Sequence, residues 1–203
     1  MNKSFIDIDD FSKKELNLIL DLAKKIKNKK TNYSNLLKNK SLGLLFQKES
    51  TRTRVSFTVG MHKMGGHVIE LDLKKIGFSK RESEKDIIRT LSQYIDCLVI
   101  RNNDHKKIKQ FASLNLIPII NGLSNFSHPC QILSDIFTIK ERFGEIRNIT
   151  ICWIGDYNNV LRSLIQAQGI YSFNLNIVLP KKILANNKNQ INNLINKKIF
   201  FTN

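Results

Sequence analysis

Apolar residues along the chain follow two spacings, one typical of buried strands and one typical of amphipathic helices. Short, nearly continuous apolar runs predict strands of a parallel sheet that is buried on both faces. Segments in which apolar residues recur every three or four positions predict helices. The predicted strands cover residues 41–47, 67–72, 97–101, 116–121, 149–155, 175–179 and 199–201. The predicted helices cover residues 12–26, 51–64, 82–94, 105–112, 129–143, 160–169 and 181–194.

The regular alternation of strand and helix predicts an α/β fold whose parallel sheets carry helices on both faces. A polar stretch at residues 144–148 is the best candidate for a domain boundary. We therefore expect two doubly wound parallel-sheet domains, at residues 1–145 and 146–203. We expect the second domain to be incomplete, because the sequence ends just as a predicted strand ends. Ligands of such sheets bind at the carboxyl ends of the strands.

Composition narrows the class of protein. Hydrophobic residues make up 41% of the 203 residues, which is enough for a folded core, and three scattered cysteines indicate the reducing cytoplasm. No apolar run reaches the length of a membrane span, so we expect no membrane partner. The 33 Lys and Arg against 17 Asp and Glu give a net charge of +16. Because the excess is mostly scattered lysine, it indicates a solvated surface rather than a nucleic-acid site.

The strongest local signal for chemistry is the segment Ser-Thr-Arg-Thr-Arg at residues 50–54, which comes after a predicted strand and begins a predicted helix. A helix N-terminus offers backbone N–H groups and the positive end of the helix dipole to an anion. The hydroxyls add donors, and the arginines add charges whose forked geometry suits phosphate oxygens. The segment predicts a site for a small dianion, with an ordinary Ser-capped helix as the alternative. The sequence lacks the glycine-rich loop that binds nucleoside triphosphates.

A second signal is the segment His-Pro-Cys-Gln at residues 128–131, between a predicted strand and a predicted helix. His128 takes the N-cap position and Gln131 lies one turn later, so both side chains can face one ligand. An imidazole and an amide can together hold a carbonyl group and an amide group. The alternative is a capping histidine beside a structural glutamine. Cys130 has no histidine partner at a suggestive spacing, which disfavours it as a nucleophile.

Two weaker signals lie at the ends of other predicted strands. Arg101 ends one strand and would point at the ligand-binding edge of the sheet, or would be a surface charge. Residues 155–160 begin with Gly-Asp and form a strand-to-helix turn, but the dinucleotide-binding glycine pattern is missing. Asn158 and Asn159 in this turn could bind a polar ligand or cap the helix.

Together and in this order, these four segments resemble the aspartate/ornithine carbamoyltransferase family. The resemblance extends over nearly the whole chain. It implies two α/β domains, the first binding carbamoyl phosphate and the second binding an amino acid. It also implies a homotrimer with active sites at subunit interfaces, and it implies neither a metal ion nor an organic cofactor.

The resemblance implies a role for each matching side chain. The residues implied to bind carbamoyl phosphate are Ser50, Thr51, Arg52, Thr53, Arg101, His128 and Gln131. The implied catalytic residues are Arg101, His128, Gln131 and Thr53. Asn159 would contact the α-amino-acid end of ornithine, and Arg54 would support the loop rather than touch the ligand.

Within the family, the sequence favours the ornithine branch. Cys130 stands where the aspartate branch usually carries a threonine, and residues 155–160 lack that branch's Arg-Val element. The implied reaction, part of arginine metabolism, moves the carbamoyl group of carbamoyl phosphate to the δ-amine of L-ornithine, giving L-citrulline and phosphate. Lys80 resembles a position through which the aspartate branch reaches a neighbouring active site, so an aspartate-type enzyme stays an alternative.

The sequence departs from the family pattern at its C-terminal end. Family members continue into an Asp and a Ser-Met-Gly loop that hold ornithine, and into a later His-Cys-Leu-Pro segment. Neither segment occurs in this sequence. We therefore expect an N-terminal fragment of a longer enzyme. The alternatives are a short, non-catalytic carbamoyl-phosphate-binding module and a basic nucleic-acid-binding protein.

Overall fold

A computed structural model describes residues 3–29, 32–72, 83–187, 189, 191, 194 and 198–202. The chain divides into two compact units. The first comprises Met1–Ile6 and Asn17–Asn125, and the second comprises Asp7–Leu16 and Phe126–Asn203. The domain division between residues 145 and 146 stays a prediction. Lys80 and the start of the helix expected from residue 82 lie outside the described residues.

The secondary structure alternates between strands and helices along the described chain. The strands are β1 (Ser41–Phe46), β2 (His67–Leu71), β3 (Cys97–Arg101), β4 (Ile119–Leu123), β5 (Thr150–Ile154), β6 (Asn174–Val178) and β7 (Ile199–Thr202). The helices are α1 (Lys13–Lys27), α2 (Thr51–Lys63), α3 (Glu84–Leu91), α4 (His105–Ser113), α5 (Pro129–Phe143), α6 (Asn159–Tyr171) and α7 (Lys181–Asn186). Short 3-10 helices occupy Ile8–Asp10 and Ile146–Asn148.

The first unit is built on a parallel sheet with the strand order β2-β1-β3-β4. Its central strands are buried over most of their length, which explains their nearly continuous apolar sequences. Leu45, Leu98 and Ile100 pack with Ile88 of α3 and Ile108 of α4 in one hydrophobic cluster. A second cluster, on Leu44 and Val99, includes Met61 of α2. The α/β prediction is confirmed, because the helices cover a parallel sheet.

The second unit contains a parallel sheet with the order β5-β6-β7. Its most buried strand is β6, whose Leu175 and Ile177 are fully buried together with Phe173 just before it. Helix α6 packs against β6, against α5 and against the 3-10 helix at Ile8–Asp10.

The predicted bounds of three elements differ from the structure. The helix expected to end at residue 94 ends three residues earlier, as α3, at Leu91. The strand expected at residues 116–121 begins three residues later, as β4, because Pro118 has no N–H to donate to a sheet ladder. The helix expected at residues 181–194 is assigned as α7 only to Asn186, and several residues beyond it lie outside the described part. The predicted bounds of α5 agree with the structure at both ends.

Local sequence signals explain where several helices begin and end. At the start of α1, the Ser12 N–H donates to Glu15 Oε2 at 2.8 Å, and the Glu15 N–H donates to Ser12 Oγ at 3.3 Å. This reciprocal pair is the predicted capping box. After α2, Gly65 adopts a φ of 81°, a conformation that L side chains rarely take. Glycine is therefore required where the chain leaves α2 for β2.

Apolar side chains remain exposed on part of α1. Leu16 and Leu20 are buried, whereas Leu18, Ile19 and Leu22 are exposed. The amphipathic pattern thus buries only one stripe of the apolar residues on this helix. No helix of the described residues is long and apolar enough to cross a membrane.

We predict opposite effects of alanine at two glycines near the end of α2. A Cβ at Gly65 would lie 2.5 Å from the Ser34 carbonyl oxygen, so Gly65→Ala should lower the free energy of unfolding by more than about 1 kcal/mol. A Cβ at Gly60, inside α2, would meet nothing within 4 Å. Gly60→Ala should therefore raise the free energy of unfolding by about 0.5–1 kcal/mol. Urea unfolding monitored by circular dichroism measures both, and equal effects would contradict the assignment of strain to Gly65.

Candidate active site

The strand order of the first unit reverses between β1 and β3, and sheets of this kind bind ligands at such a point. From the neighbouring strands β1 and β3 the chain continues toward opposite edges of the sheet, to β2 and to β4 respectively. Ligands bind outside the carboxyl ends of two such strands. Phe46 pairs with Arg101 in the register of these strands. The Gln47 N–H donates to the Arg101 carbonyl oxygen at 2.9 Å, and Gln47 Oε1 accepts from the Asn103 N–H at 3.2 Å. These bonds hold the segment leading to residue 50 beside the end of β3.

The N-terminus of α2 presents backbone N–H groups that form no hydrogen bond with the side chain of its N-cap residue. Ser50 is the N-cap, and its side chain makes no capping hydrogen bond. The Arg54 N–H donates to the Ser50 carbonyl oxygen at 3.2 Å, which begins the helical ladder. The N–H groups of Thr51, Arg52 and Thr53 precede that ladder and need another acceptor. Thr51 and Arg52 are exposed, and Thr53 is partly buried.

The two arginines at the start of α2 have different surroundings. Arg54 forms an ion pair with Glu70 of β2, and its guanidinium lies 5.6 Å from the centre of the Phe46 ring. Within the described part of the chain, Arg52 makes no ion pair. Arg54 therefore ties the start of α2 to the sheet, whereas the Arg52 charge is available to a ligand.

Arg101 carries a buried donor at the end of β3. Its side chain is partly buried, and its Nε atom is buried without a hydrogen-bond partner. A buried donor without a partner costs about 1–3 kcal/mol. A ligand oxygen bound beside Arg101 would remove that cost.

In the second unit, His128 is the N-cap of α5, and Pro129 is the first helical residue. The His128 N–H donates to Ser163 Oγ at 2.9 Å, and Ser163 is fully buried on α6. The His128 side chain makes no capping hydrogen bond. The bond to Ser163 therefore fixes the backbone of His128. The His128 side chain does not act as the cap of the helix.

Gln131 lies one turn into α5, with an exposed side chain. Its Nε2 donates to Asp135 Oδ1 at 3.0 Å, across one further turn of the helix. Burial raises the pKa of Asp135, and the hydrogen bond from Gln131 partly opposes that rise. The amide of Gln131 is therefore held at its nitrogen end.

The two asparagines after β5 have different positions. Asn158 is the N-cap of α6, and its Oδ1 accepts from the N–H groups of Val160 at 3.0 Å and Leu161 at 3.1 Å. Asn159 is the first residue of α6 and is partly buried. Gly155, with φ of 149°, allows the chain to leave β5 for this turn. The capping role thus belongs to Asn158.

Cys130 lies between His128 and Gln131 without the properties of a nucleophile. Burial raises the pKa of its thiol to about 12, so the thiolate is scarce at neutral pH. Burial also raises the pKa of Cys97 to about 11. Cys152 is exposed, and none of the three cysteines forms a disulfide.

The carboxylates of Asp7, Asp9 and Asp10 are the group among the described residues that comes close enough to share a metal ion, with oxygen atoms within 4.8 Å of one another. Asp10 Oδ2 already accepts from the Asp7 N–H at 2.8 Å. This cluster belongs to the start of a 3-10 helix, and acidic groups at a helix start are stabilising without an ion.

Comparison with known protein families decides the class of the protein. Residues 3–141 match the model of the aspartate/ornithine carbamoyltransferase carbamoyl-phosphate-binding domain. Residues 147–202 match the model of the aspartate/ornithine-binding domain of the same enzymes. The chain belongs to the aspartate/ornithine carbamoyltransferase family. The resemblance found in its motifs is therefore confirmed.

Relatives within the carbamoyltransferase family include two bacterial ornithine carbamoyltransferases. The protein of Aquifex aeolicus is 40% identical over 182 residues, covering 89% of this chain and 60% of the relative. The protein of Syntrophotalea carbinolica is 42% identical over 183 residues, covering 89% of this chain and 61% of the relative. The chain thus spans about 60% of the length of these relatives.

Solved structures of ornithine carbamoyltransferases share the fold. The match to the Burkholderia thailandensis structure has a TM-score of 0.85 at 32% identity. It covers 99% of this chain and 70% of the Burkholderia chain. The match to the Pyrococcus furiosus structure has a TM-score of 0.84 at 38% identity. It covers 90% of this chain and 59% of the Pyrococcus chain.

The predicted site residues fall into groups on different elements. Residues 50–53 follow β1 and Arg101 ends the neighbouring β3, at the same edge of the sheet. His128 and Gln131 share the start of α5, and Asn159 begins α6. Sequence reasoning missed Asp135, although its four-residue spacing from Gln131 on a predicted helix was a usable signal. It also missed Ser163 and Glu70, for which no local signal existed, because each meets its partner only through the fold.

We predict that Cys130 resists alkylation. A thiol whose pKa rises to about 12 carries far less of the reactive thiolate at pH 8 than an ordinary cysteine. Iodoacetamide followed by peptide mass mapping should therefore label the exposed Cys152 well before Cys130. Unfolding in urea should make the two rates similar. Equal labelling rates in the folded protein would refute the burial of the Cys130 thiol.

Proposed function

We propose that this protein transfers the carbamoyl group of carbamoyl phosphate to the δ-amine of L-ornithine, producing L-citrulline and phosphate. The observation that carries the proposal is the uncapped N-terminus of α2, which follows β1 at the sheet edge where Arg101 ends the neighbouring β3. Backbone donors, hydroxyls and two guanidinium groups suit a phosphate with an adjacent carbonyl. Membership of the carbamoyltransferase family and relatives named ornithine carbamoyltransferase support the same substrate pair.

In this proposal the phosphate binds at the start of α2. Ser50, Thr51, Arg52 and Thr53 supply hydroxyl, backbone and guanidinium donors. Each charge-assisted hydrogen bond contributes about 1.5–3 kcal/mol, so a few of them can hold a small dianion. The Arg54–Glu70 ion pair supports the helix start without a contact to the ligand.

The carbamoyl group and the amino acid engage the remaining residues. Arg101, His128 and Gln131 bind the carbamoyl carbonyl and amide groups. Asn159, beside the capping Asn158, contacts the α-amino-acid end of ornithine. Two substrates aligned in this way react within one complex, which removes much of the entropic part of the barrier.

The proposed carbamoyl transfer depends on where these side chains hold the two substrates. The neutral δ-amine attacks the carbamoyl carbon, and negative charge builds on the carbonyl oxygen. Arg101, His128 and the Thr53 hydroxyl stabilise that charge, and the loss of one such donor typically costs about 3 kcal/mol in the barrier. The C–O bond to phosphate then breaks, and the departing phosphate accepts the proton of the amine. The high pKa of the Cys130 thiol favours direct attack over a covalent enzyme intermediate.

We further propose a homotrimer with active sites at subunit interfaces, acting in the cytoplasm in arginine metabolism. Val55 and Val59 lie one turn apart on α2 with exposed side chains, and Ile69 on the neighbouring β2 is also exposed. Exposed apolar side chains on adjacent elements are suited to a subunit contact. The three cysteines without disulfides fit a reducing compartment.

The reaction is tested with the natural gene product, carbamoyl phosphate and either L-ornithine or L-aspartate. We expect citrulline from ornithine and no carbamoyl-aspartate, measured by mass spectrometry of the products. Carbamoyl-aspartate alone would favour an aspartate-type enzyme. Binding of carbamoyl phosphate without any product would favour a non-catalytic binding module.

We predict that Arg52→Ala abolishes measurable binding of carbamoyl phosphate in the folded protein, because it removes the unpaired charge at the start of α2. Lys63→Ala is the matched control, since it removes the same charge at the other end of the same helix. Isothermal titration calorimetry should find the control's affinity within about twofold of the wild type, as expected for a screened surface charge. Unchanged binding by Arg52→Ala would refute the phosphate assignment.

A further inference from the structure

Asp135 is a half-buried acid whose described hydrogen-bond partner is the side chain of Gln131. Both residues lie on α5, and Gln131 Nε2 is 3.0 Å from Asp135 Oδ1. Within the described residues, no Lys, Arg or His nitrogen lies within ion-pair distance of the Asp135 carboxylate. Burial accordingly raises its pKa, with the Gln131 hydrogen bond as the opposing contribution.

A carboxylate in this setting contributes little to the stability of α5. A carboxylate that is partly removed from water without an ion-pair partner destabilises the folded state relative to a neutral side chain of similar size. The hydrogen bond from an exposed amide one turn away adds only a few tenths of a kcal/mol to a helix. The arrangement is therefore better explained by what the acid does to Gln131 than by what it does for the fold.

An ionised carboxylate fixes the direction of the amide. A glutamine amide has donors at its nitrogen and acceptors at its oxygen, whereas an ionised carboxylate only accepts. The nitrogen of Gln131 must therefore face Asp135, and Oε1 is left as an acceptor for a ligand. An exposed glutamine without such a partner could present either end, because the two ends have nearly the same shape.

We propose that Asp135 is a positioning residue that orients the Gln131 amide so that Oε1 accepts from the NH₂ group of the substrate, and so selects a carbamoyl group over an acyl group. This inference rests on the proposed function. Acetyl phosphate is the informative comparison, because a methyl group replaces the NH₂ group at nearly the same size. A site built to hydrogen-bond a substrate NH rejects an analogue that lacks it.

The test measures the affinities of carbamoyl phosphate, acetyl phosphate and inorganic phosphate for the wild type and for Asp135→Asn. An asparagine can accept from Gln131 or donate to it, so it no longer fixes the amide direction. We expect Asp135→Asn to weaken carbamoyl phosphate binding about three- to tenfold, the worth of one neutral hydrogen bond. Acetyl phosphate and inorganic phosphate should bind within about twofold of their wild-type affinities. Glu141→Gln makes the same charge change on α5 and should change none of the three affinities by more than about twofold.

A second variant separates positioning from folding. Gln131→Leu should abolish the preference for carbamoyl phosphate, and adding Asp135→Asn to it should cause no further change, because the two residues act as one unit. Equal weakening of all three ligands by Asp135→Asn, or no weakening at all, would overturn the inference and leave the proposed function standing. A wild-type protein that binds inorganic phosphate but shows no preference for carbamoyl phosphate would overturn both.

Discussion

The pairing of β1 with β3 is the constraint on which the candidate site of the first unit depends. Parallel neighbours end at the same edge of a sheet, and the register sets Phe46 beside Arg101. The bond from Gln47 to the Arg101 carbonyl oxygen then carries this register into the loop before α2. The helix N-terminus and the arginine follow strands that end at the same sheet edge, and buried apolar residues of both strands favour that pairing. Without that pairing, the donors of residues 50–53 would be an ordinary helix end.

The start of α2 lacks a stabilising cap, which fits the ligand-binding role proposed for it. A capping side chain typically adds about 1 kcal/mol to a helix, and Ser50 does not supply it. The buried Nε of Arg101 lacks a partner at the neighbouring strand end. Such unsatisfied donors are typical of functional sites, where they are stabilised by the ligand. Arg54 and Glu70 meanwhile hold the helix start on the sheet, so two arginines of one short segment serve different purposes.

In the second unit, other side chains support the residues that are expected to touch the substrate. Ser163 of α6 holds the backbone of His128, and Asp135 holds the amide of Gln131. The intervening Cys130 is kept neutral by burial, which favours chemistry by alignment and electrostatic stabilisation. Preorganised donors need this kind of support, because a side chain that must first be ordered loses much of what its hydrogen bond contributes.

The sequence by itself determined the class of fold, most element bounds and the segments proposed to carry the site. Periodicity, capping and proline or glycine signals act within one or two turns, so α5 and the capping box at Ser12 could be predicted from adjacent residues. The late start of β4 shows the limit of this reasoning, since an apolar run does not reveal where a ladder can begin after Pro118. Only the tertiary structure decided that residues 46 and 101 are neighbours, that Arg54 is paired with Glu70 and that Ser163 holds His128. These contacts join residues far apart in the chain, and the packing that brings them together is a property of the whole core rather than of any local segment.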